Sequence, residues 1–169
     1  MASFPSSYIV TTTASATRAA DVLTVPVSGI DYPLSLFAEF DVPQTSNSRW
    51  YLEVHSTGAA TDSAVMSSAT TDFAVTSYAA TVWNGQSVGG TITANVVHKG
   101  AARISSAGQR SCLNGTLNGD DASVTQPAAP TSIYFGSQAG SSNQIFGYLR
   151  RCALWTRALT DSELQTVTT

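Results

Sequence analysis

Two stretches in which apolar and polar side chains alternate every second residue constrain this chain most. The first runs over residues 34–42 and is bounded by Pro33 and Pro43. Alternation with period two is typical of a β-strand, because successive side chains point to opposite faces of a sheet. The pattern predicts one core-facing set, namely Leu36, Ala38, Phe40 and Val42, and one opposite set, namely Phe37, Glu39 and Asp41.

The second alternating stretch covers residues 49–56 and is also predicted to be a strand. Strict alternation sorts its side chains into Trp50, Leu52 and Val54 on one face and Tyr51, Glu53 and His55 on the other. The second set joins an aromatic ring to a carboxylate and an imidazole. It is therefore a candidate surface for recognition.

Shorter β-branched and aromatic runs predict the remaining strands. They cover residues 8–13, 22–27, 64–68, 73–83, 91–98, 99–105, 109–114, 132–136 and 146–155. Glycines at 85, 89 and 90 indicate a turn region, and Ala107-Gly108 indicates a hairpin. Thr160-Asp161-Ser162-Glu163 has the pattern of a capping box, which predicts one short C-terminal helix.

Many short strands with one helix predict an all-β fold, a two-sheet antiparallel β-sandwich. We expect a single domain over residues 1–169, because the length suits one domain. Residues 1–7 form an N-terminal extension in this interpretation and would serve as an attachment arm.

The C-terminal segment resembles the closing strand and helix of laminin-G-like domains. The matching residues are Gly147-Tyr148-Leu149, Cys152, Leu154-Trp155, Arg157-Ala158-Leu159-Thr160 and Glu163-Leu164, and further upstream His98, Arg103-Ile104, Cys112 and Asn114-Gly115. Such domains are concanavalin A-like jelly rolls, and this chain looks like those found in tailed-bacteriophage structural proteins. The resemblance implies a lectin-like sandwich. Arg150-Arg151 and Thr156 depart from the pattern, which weakens any transfer of ligand or calcium chemistry.

Two details of this segment are specific enough to check. Leu149, Cys152 and Leu154 can all face the core only if a β-bulge falls near Arg150-Arg151. Cys112 and Cys152 both lie in apolar strands, and we expect them to be free thiols.

Charged residues make up only 11% of the chain, and the net charge is −3. The absence of a basic run argues against nucleic acid, whose phosphates are neutralised by Lys and Arg. No apolar segment approaches the length of a membrane span, and the first residues lack the pattern of a secretion signal. A sparsely charged, hydroxyl-rich surface favours contact with neighbouring proteins or with neutral sugars.

Three kinds of site are open on this scaffold. A glycan-binding face would use Tyr51, Glu53, His55, Trp83 and Asn84, since aromatic rings stack on sugars and polar groups bind hydroxyls. A glycoside hydrolase would use Glu39 and Asp41, but a third carboxylate is lacking. Asp120 and Asp121 form the one compact acidic loop that could hold calcium, and otherwise we expect no cofactor and no metal.

The sequence and the resemblance together predict a non-enzymatic protein of the bacteriophage virion surface. It would decorate a capsid or tail, with other virion proteins, copies of itself and host-surface glycans as partners. We expect neither a nucleic-acid nor a membrane partner, and synthesis in the host cytoplasm. The alternative is a module whose main role is glycan binding, and a remote alternative is a glycoside hydrolase.

Overall fold

A computed structural model of the chain describes residues 22–43, 45, 48–56, 62–80, 82–122, 124–139 and 143–169. The predicted strand at 8–13 and the predicted arm at 1–7 lie outside these residues. Within the described part, eleven strands precede one helix. They are β1 (Leu23–Pro26), β2 (Leu34–Asp41), β3 (Trp50–His55), β4 (Ser63–Ala69), β5 (Asp72–Ala79), β6 (Val82–Thr91), β7 (His98–Ser105), β8 (Gly108–Leu113), β9 (Thr116–Asp121), β10 (Ser132–Phe135), β11 (Tyr148–Trp155) and α1 (Asp161–Thr168).

The strands form two antiparallel sheets. The six-stranded sheet has the order β1-β10-β3-β4-β5-β6, and the five-stranded sheet has the order β11-β2-β7-β8-β9. The inner faces of both sheets share one apolar core. The predicted two-sheet β-sandwich with a short C-terminal helix is therefore confirmed. No helix in the described part of the chain is long and apolar enough to span a bilayer.

Strand β2 supplies the centre of this core, as its alternation predicts. Leu36, Ala38 and Phe40 are fully buried between the sheets. Phe37 points the other way and packs beneath helix α1. The Phe40 ring stacks on the Tyr51 ring with centroids 4.0 Å apart and planes 17° apart.

The Tyr51 contact corrects the face predicted for this residue. The register between β3 and β4 shifts between Trp50 and Leu52, so that Tyr51 has no partner on the neighbouring strand. Such a bulge turns two successive side chains towards the same face. Tyr51 and Leu52 consequently both enter the core, while Glu53 and His55 stay on the outer face.

The bulge predicted in β11 is present. The register between β11 and β2 shifts between Leu149 and Arg151. Leu149, Cys152 and Leu154 pack against the core as expected, although each is only partly buried. Cys112 and Cys152 are free thiols.

The turn predicted around Gly85, Gly89 and Gly90 is wrong, because all three lie within strand β6. Because these positions have no side chain, β6 can pack closely against the five-stranded sheet. A Cβ at Gly89 would lie 2.7 Å from the Asn118 side chain, and a Cβ at Gly90 would lie 2.9 Å from Leu113. The predicted strand over 91–98 is also wrong: β6 ends at Thr91 and β7 begins at His98.

Helix α1 closes the outer face of the five-stranded sheet. The Thr160 hydroxyl accepts a hydrogen bond from the backbone N–H of Glu163, and the Glu163 carboxylate accepts one from the backbone N–H of Thr160. This pair of bonds confirms the predicted capping box. Leu159 and Leu164 are buried in a second apolar cluster with Phe37, Ala101 and Cys112.

Candidate functional site

The outer face of the six-stranded sheet carries a continuous set of aromatic and polar side chains, here called the aromatic–polar face. Its members alternate with core residues along each strand and lie opposite one another in the sheet. They are Trp50, Glu53 and His55 of β3, Ser63 of β4, Thr76 and Tyr78 of β5, Trp83 and Gln86 of β6, and Ser132 and Tyr134 of β10.

The β5–β6 end of this face is open to solvent. Trp83 lies opposite Tyr78 on the neighbouring strand, and the side chain of Trp83 is 57% exposed. Gln86, three residues further along β6 and beyond a register shift, donates its amide Nε2–H to the Thr76 hydroxyl at 2.9 Å. An exposed indole, a half-buried phenol and an amide therefore lie together at one edge, and the Thr76 hydroxyl is buried beside them.

The centre of the face is covered by its own rings. Trp50 and Tyr78 approach each other across the small residues of β4, with ring centroids 6.5 Å apart and planes 22° apart. The His55 ring meets the Tyr134 ring edge-on at 5.7 Å. Because these rings shield the strands beneath them, Ser63 and Glu53 are fully buried.

Glu53 is a buried carboxyl whose acidity is changed by its surroundings. Its Oε2 accepts the backbone N–H of Ala139 at 2.7 Å. Burial raises the pKa of Glu53 to about 7, and the bond from the Ala139 N–H offsets only part of this rise. Burial, and secondarily the nearby Glu53 carboxyl, also raises the pKa of Tyr78.

The structure brings together three of the five residues predicted for a glycan face. Trp83, Glu53 and His55 share the aromatic–polar face, in which Trp83 is separated from His55 by Tyr78 and Ser63. Tyr51 lies in the core instead. Asn84 follows Trp83 along β6 and donates its amide Nδ2–H to the Val82 carbonyl at 3.1 Å.

Sequence reasoning missed Tyr78, Gln86 and Tyr134. The signal for Tyr78 is present, because Phe73 and Val75 alternate with Ala74, Thr76 and Tyr78 without a break. The signal for Gln86 was hidden by the glycines around it, which mimic a turn.

The carboxylates proposed for hydrolysis lie on the other sheet. Glu39 and Asp41 project from the outer face of β2, as predicted. Arg151 donates its Nε–H to Glu39 at 2.9 Å, and Arg150 donates its Nε–H to Asp41 at 3.2 Å. Each carboxylate is thus paired with a guanidinium from β11, in place of an open cleft between them.

The predicted acidic loop at Asp120 and Asp121 belongs to strand β9. Asp121 Oδ2 accepts the backbone N–H of Gln86 at 2.9 Å, and Asp120 lies 3.8 Å from Arg103. The two aspartates therefore bind other parts of the chain. Among the residues that the structure describes, no group of three or more His, Cys, Asp or Glu side chains is placed to hold a metal ion.

No protein-family model and no curated protein matches the chain. Solved structures do match it. The CBM40 module of the Ruminococcus gnavus IT-sialidase, bound to α2,3-sialyllactose, superposes with a TM-score of 0.67 at 12% identity, covering 81% of this chain and 83% of the module. A heptameric SAP-like pentraxin from Limulus polyphemus superposes with a TM-score of 0.64 at 14% identity, covering 86% of this chain and 72% of the pentraxin chain.

The Trypanosoma rangeli sialidase also matches, with a TM-score of 0.60 at 14% identity. The match covers 80% of this chain but only 22% of the sialidase. Identities this low establish the fold and no more. By its architecture, this chain is a jelly-roll β-sandwich.

Proposed function

We propose that this chain is a glycan-binding module and that saccharides bind at the Trp83–Tyr78 end of the aromatic–polar face. The observation that carries the proposal is the exposed Trp83 side chain, which lies opposite Tyr78 and three residues before Gln86 on the same strand. Single exposed apolar side chains are common, but Trp83 lies beside a second ring and an amide, and an aromatic surface with polar groups next to it is the composition of an interaction site.

The chemistry of this end suits a sugar. A pyranose has an apolar face of C–H groups that can stack on an indole or phenol ring, and its hydroxyls both donate and accept hydrogen bonds. The Gln86 amide and the Tyr78 hydroxyl offer both kinds of partner. A few well-placed polar groups beside aromatic surface are the usual composition of a small-ligand site.

The similarity of fold to the solved structures supports the proposal that this chain binds glycans. The R. gnavus module is described as bound to sialyllactose, and its TM-score of 0.67 extends over most of both chains. Under this proposal the present chain uses the same scaffold to bind a saccharide.

The test is binding of the purified chain to an array of glycans, followed by calorimetry on the best ligands. Trp83→Ala should weaken binding at least about fivefold, since a lost stacking contact of about 1 kcal/mol corresponds to that factor. Phe146→Ala is the matched control, because Phe146 is 56% exposed but packs against Arg49 away from this face. Failure of every glycan to bind, or equal affinities of Trp83→Ala and the native chain, would refute the proposal.

We further propose that the module is not catalytic. The arginine pairs at Glu39 and Asp41 support this, because a nucleophile or acid held by a guanidinium is poorly placed to react. Release of reducing ends from polysaccharides during long incubation, abolished by Glu39→Gln, would contradict it.

The predicted role in decorating a bacteriophage virion stays a prediction. The carbohydrate-binding module, the sialidase and the pentraxin described above are not virion proteins by their descriptions. Cosedimentation of the chain with purified capsids or tails would test that role and its predicted location.

A further inference from the structure

The distribution of charge over the two sheets bears on which glycans can bind; this inference rests on the proposed function. Five of the basic side chains in the described part project from the outer face of the five-stranded sheet. They are Lys99, Arg103, Arg110, Arg150 and Arg151.

Most of these cations are matched by carboxylates on the same face. Arg103 and Arg110 both bind Asp161, while Arg150 and Arg151 bind Asp41 and Glu39. Arg157 pairs with Glu163 at the start of α1. Arg49 lies with its guanidinium carbon 4.7 Å from the centroid of the Phe146 ring.

The aromatic–polar face has the opposite character. Its side chains present an amide, hydroxyls, phenols, indoles and an imidazole, together with the carboxyl of Glu53. Within the described residues, neither Lys nor Arg occupies a position on this face. A carboxylate or sulfate bound here would find neither a guanidinium nor an ammonium on this face to replace the water that it gives up.

The size of the open surface sets a second limit. Neighbouring strands lie about 4.8 Å apart, so the Trp83 and Tyr78 rings together span roughly one pyranose ring. Beyond Tyr78 the row continues into buried Ser63, where no ligand can reach the strand.

We propose that the Trp83–Tyr78 end selects neutral saccharides, recognises one or two sugar units, and disfavours saccharides that carry a carboxylate or sulfate. This differs from the sialylated ligand in the R. gnavus complex. The shared scaffold would then hold a different class of sugar.

The experiment compares matched ligand pairs by calorimetry on the full chain: neutral oligosaccharides such as lactose, and the same oligosaccharides bearing sialic acid, uronic acid or sulfate. We expect each neutral member to bind at least about fivefold more tightly than its acidic partner, with little change as NaCl is raised. Tighter binding of the acidic members, weakening with salt, would overturn the inference while leaving glycan binding itself in place. Binding of no saccharide at all would instead overturn the proposed function.

A variant that adds a positive charge to the site tests the same preference for neutral saccharides. Gln86→Lys places a cation beside Trp83 and should shift the acidic-to-neutral affinity ratio towards the acidic ligand by about threefold or more. Thr116→Lys is the control, because it adds the same charge at an exposed position of β9 on the other sheet. An equal ratio in the two variants would count against recognition at the Trp83–Tyr78 end.

Discussion

The Glu53 carboxylate accepts the backbone N–H of Ala139 at 2.7 Å, which fixes the segment after β10 onto the outer face of β3. Glu53 is fully buried, and burial raises its pKa from 4.5 to about 7. A carboxyl with a raised pKa binds its proton more tightly in the folded chain than in the unfolded chain. The free energy of unfolding must therefore fall as the pH rises from about 4.5 to about 7.

Glu53→Gln should remove this pH dependence. The amide keeps an oxygen that can accept the Ala139 N–H, but it is never charged. The variant should be more stable than the native chain at about pH 8, by up to ~3 kcal/mol for a pKa difference of this size, and the difference should shrink towards pH 4.5. Urea denaturation at several pH values measures it.

Glu39→Gln serves as the control for the Glu53 experiment. Glu39 is paired with Arg151 at the surface, so its neutralisation should cost up to about 1 kcal/mol at pH 8, the opposite sign. The two N–H groups of a buried Gln can add a cost that is the same at every pH, because Glu53 Oε1 has no hydrogen-bond partner among the residues that the structure describes. A stability difference between Glu53→Gln and the native chain that stays constant from pH 4.5 to pH 8 would therefore show that the Glu53 charge is not buried as described.

Two glycines on the five-stranded sheet make a matched pair for testing how tightly the layers pack. A Cβ at Gly100 would lie 2.5 Å from the Phe73 ring, which is buried in the core, whereas a Cβ at Gly119 would meet no atom within 4 Å. Gly100→Ala should therefore cost about 1–3 kcal/mol by overpacking, and Gly119→Ala should stay within about 0.5 kcal/mol of the native chain. Equal stabilities in denaturant titrations would show that the sheets are farther apart at Gly100.

The capping box of α1 should be separable from the rest of the fold. Thr160→Ala removes the acceptor of the Glu163 N–H and should lower stability by about 1 kcal/mol, while Thr160→Ser should restore most of it. The bond from Arg157, followed by the Thr160 N–H, lowers the pKa of Glu163 to about 2. Its contribution is present above pH 4.5 and is lost as the pH falls towards 2. Thermal unfolding of both variants across this range checks the cap, and an unchanged melting temperature in Thr160→Ala would contradict it.

Sequence reasoning succeeded where side-chain period alone decides the outcome. Alternation in β2 placed Phe40 inside and Phe37 outside, and the uneven spacing of Leu149, Cys152 and Leu154 located the bulge in β11. The capping box was readable because it depends on local residues only. These features need no knowledge of the neighbouring strands.

Sequence reasoning failed where contacts with other strands determine the local structure. The glycines of β6 look like turn residues, but they are required by the approach of Asn118 and Leu113 from the other layer. The bulge in β3 has no such spacing signal, because Tyr51 and Leu52 are both acceptable on either face. The candidate face could be predicted in part, through Glu53, His55 and Trp83, and the alternation of β5 also marks Tyr78, while Gln86 emerges only when strand register is known.

Substitution of Tyr51 distinguishes a ring in the core from a ring on the aromatic–polar face. The ring is 1% exposed and stacks on Phe40, so Tyr51→Ala should cost about 3–5 kcal/mol, as expected for an aromatic side chain removed from a core. Trp83→Ala should have the reverse profile, with stability within about 0.5 kcal/mol of the native chain and weakened glycan binding. Strict alternation would instead put Tyr51 on the aromatic–polar face. In that case Tyr51→Ala would unfold at nearly the native urea concentration and lose affinity for glycans. Measuring unfolding and binding on the same two variants therefore decides whether the bulge in β3 or the simple alternation describes this strand.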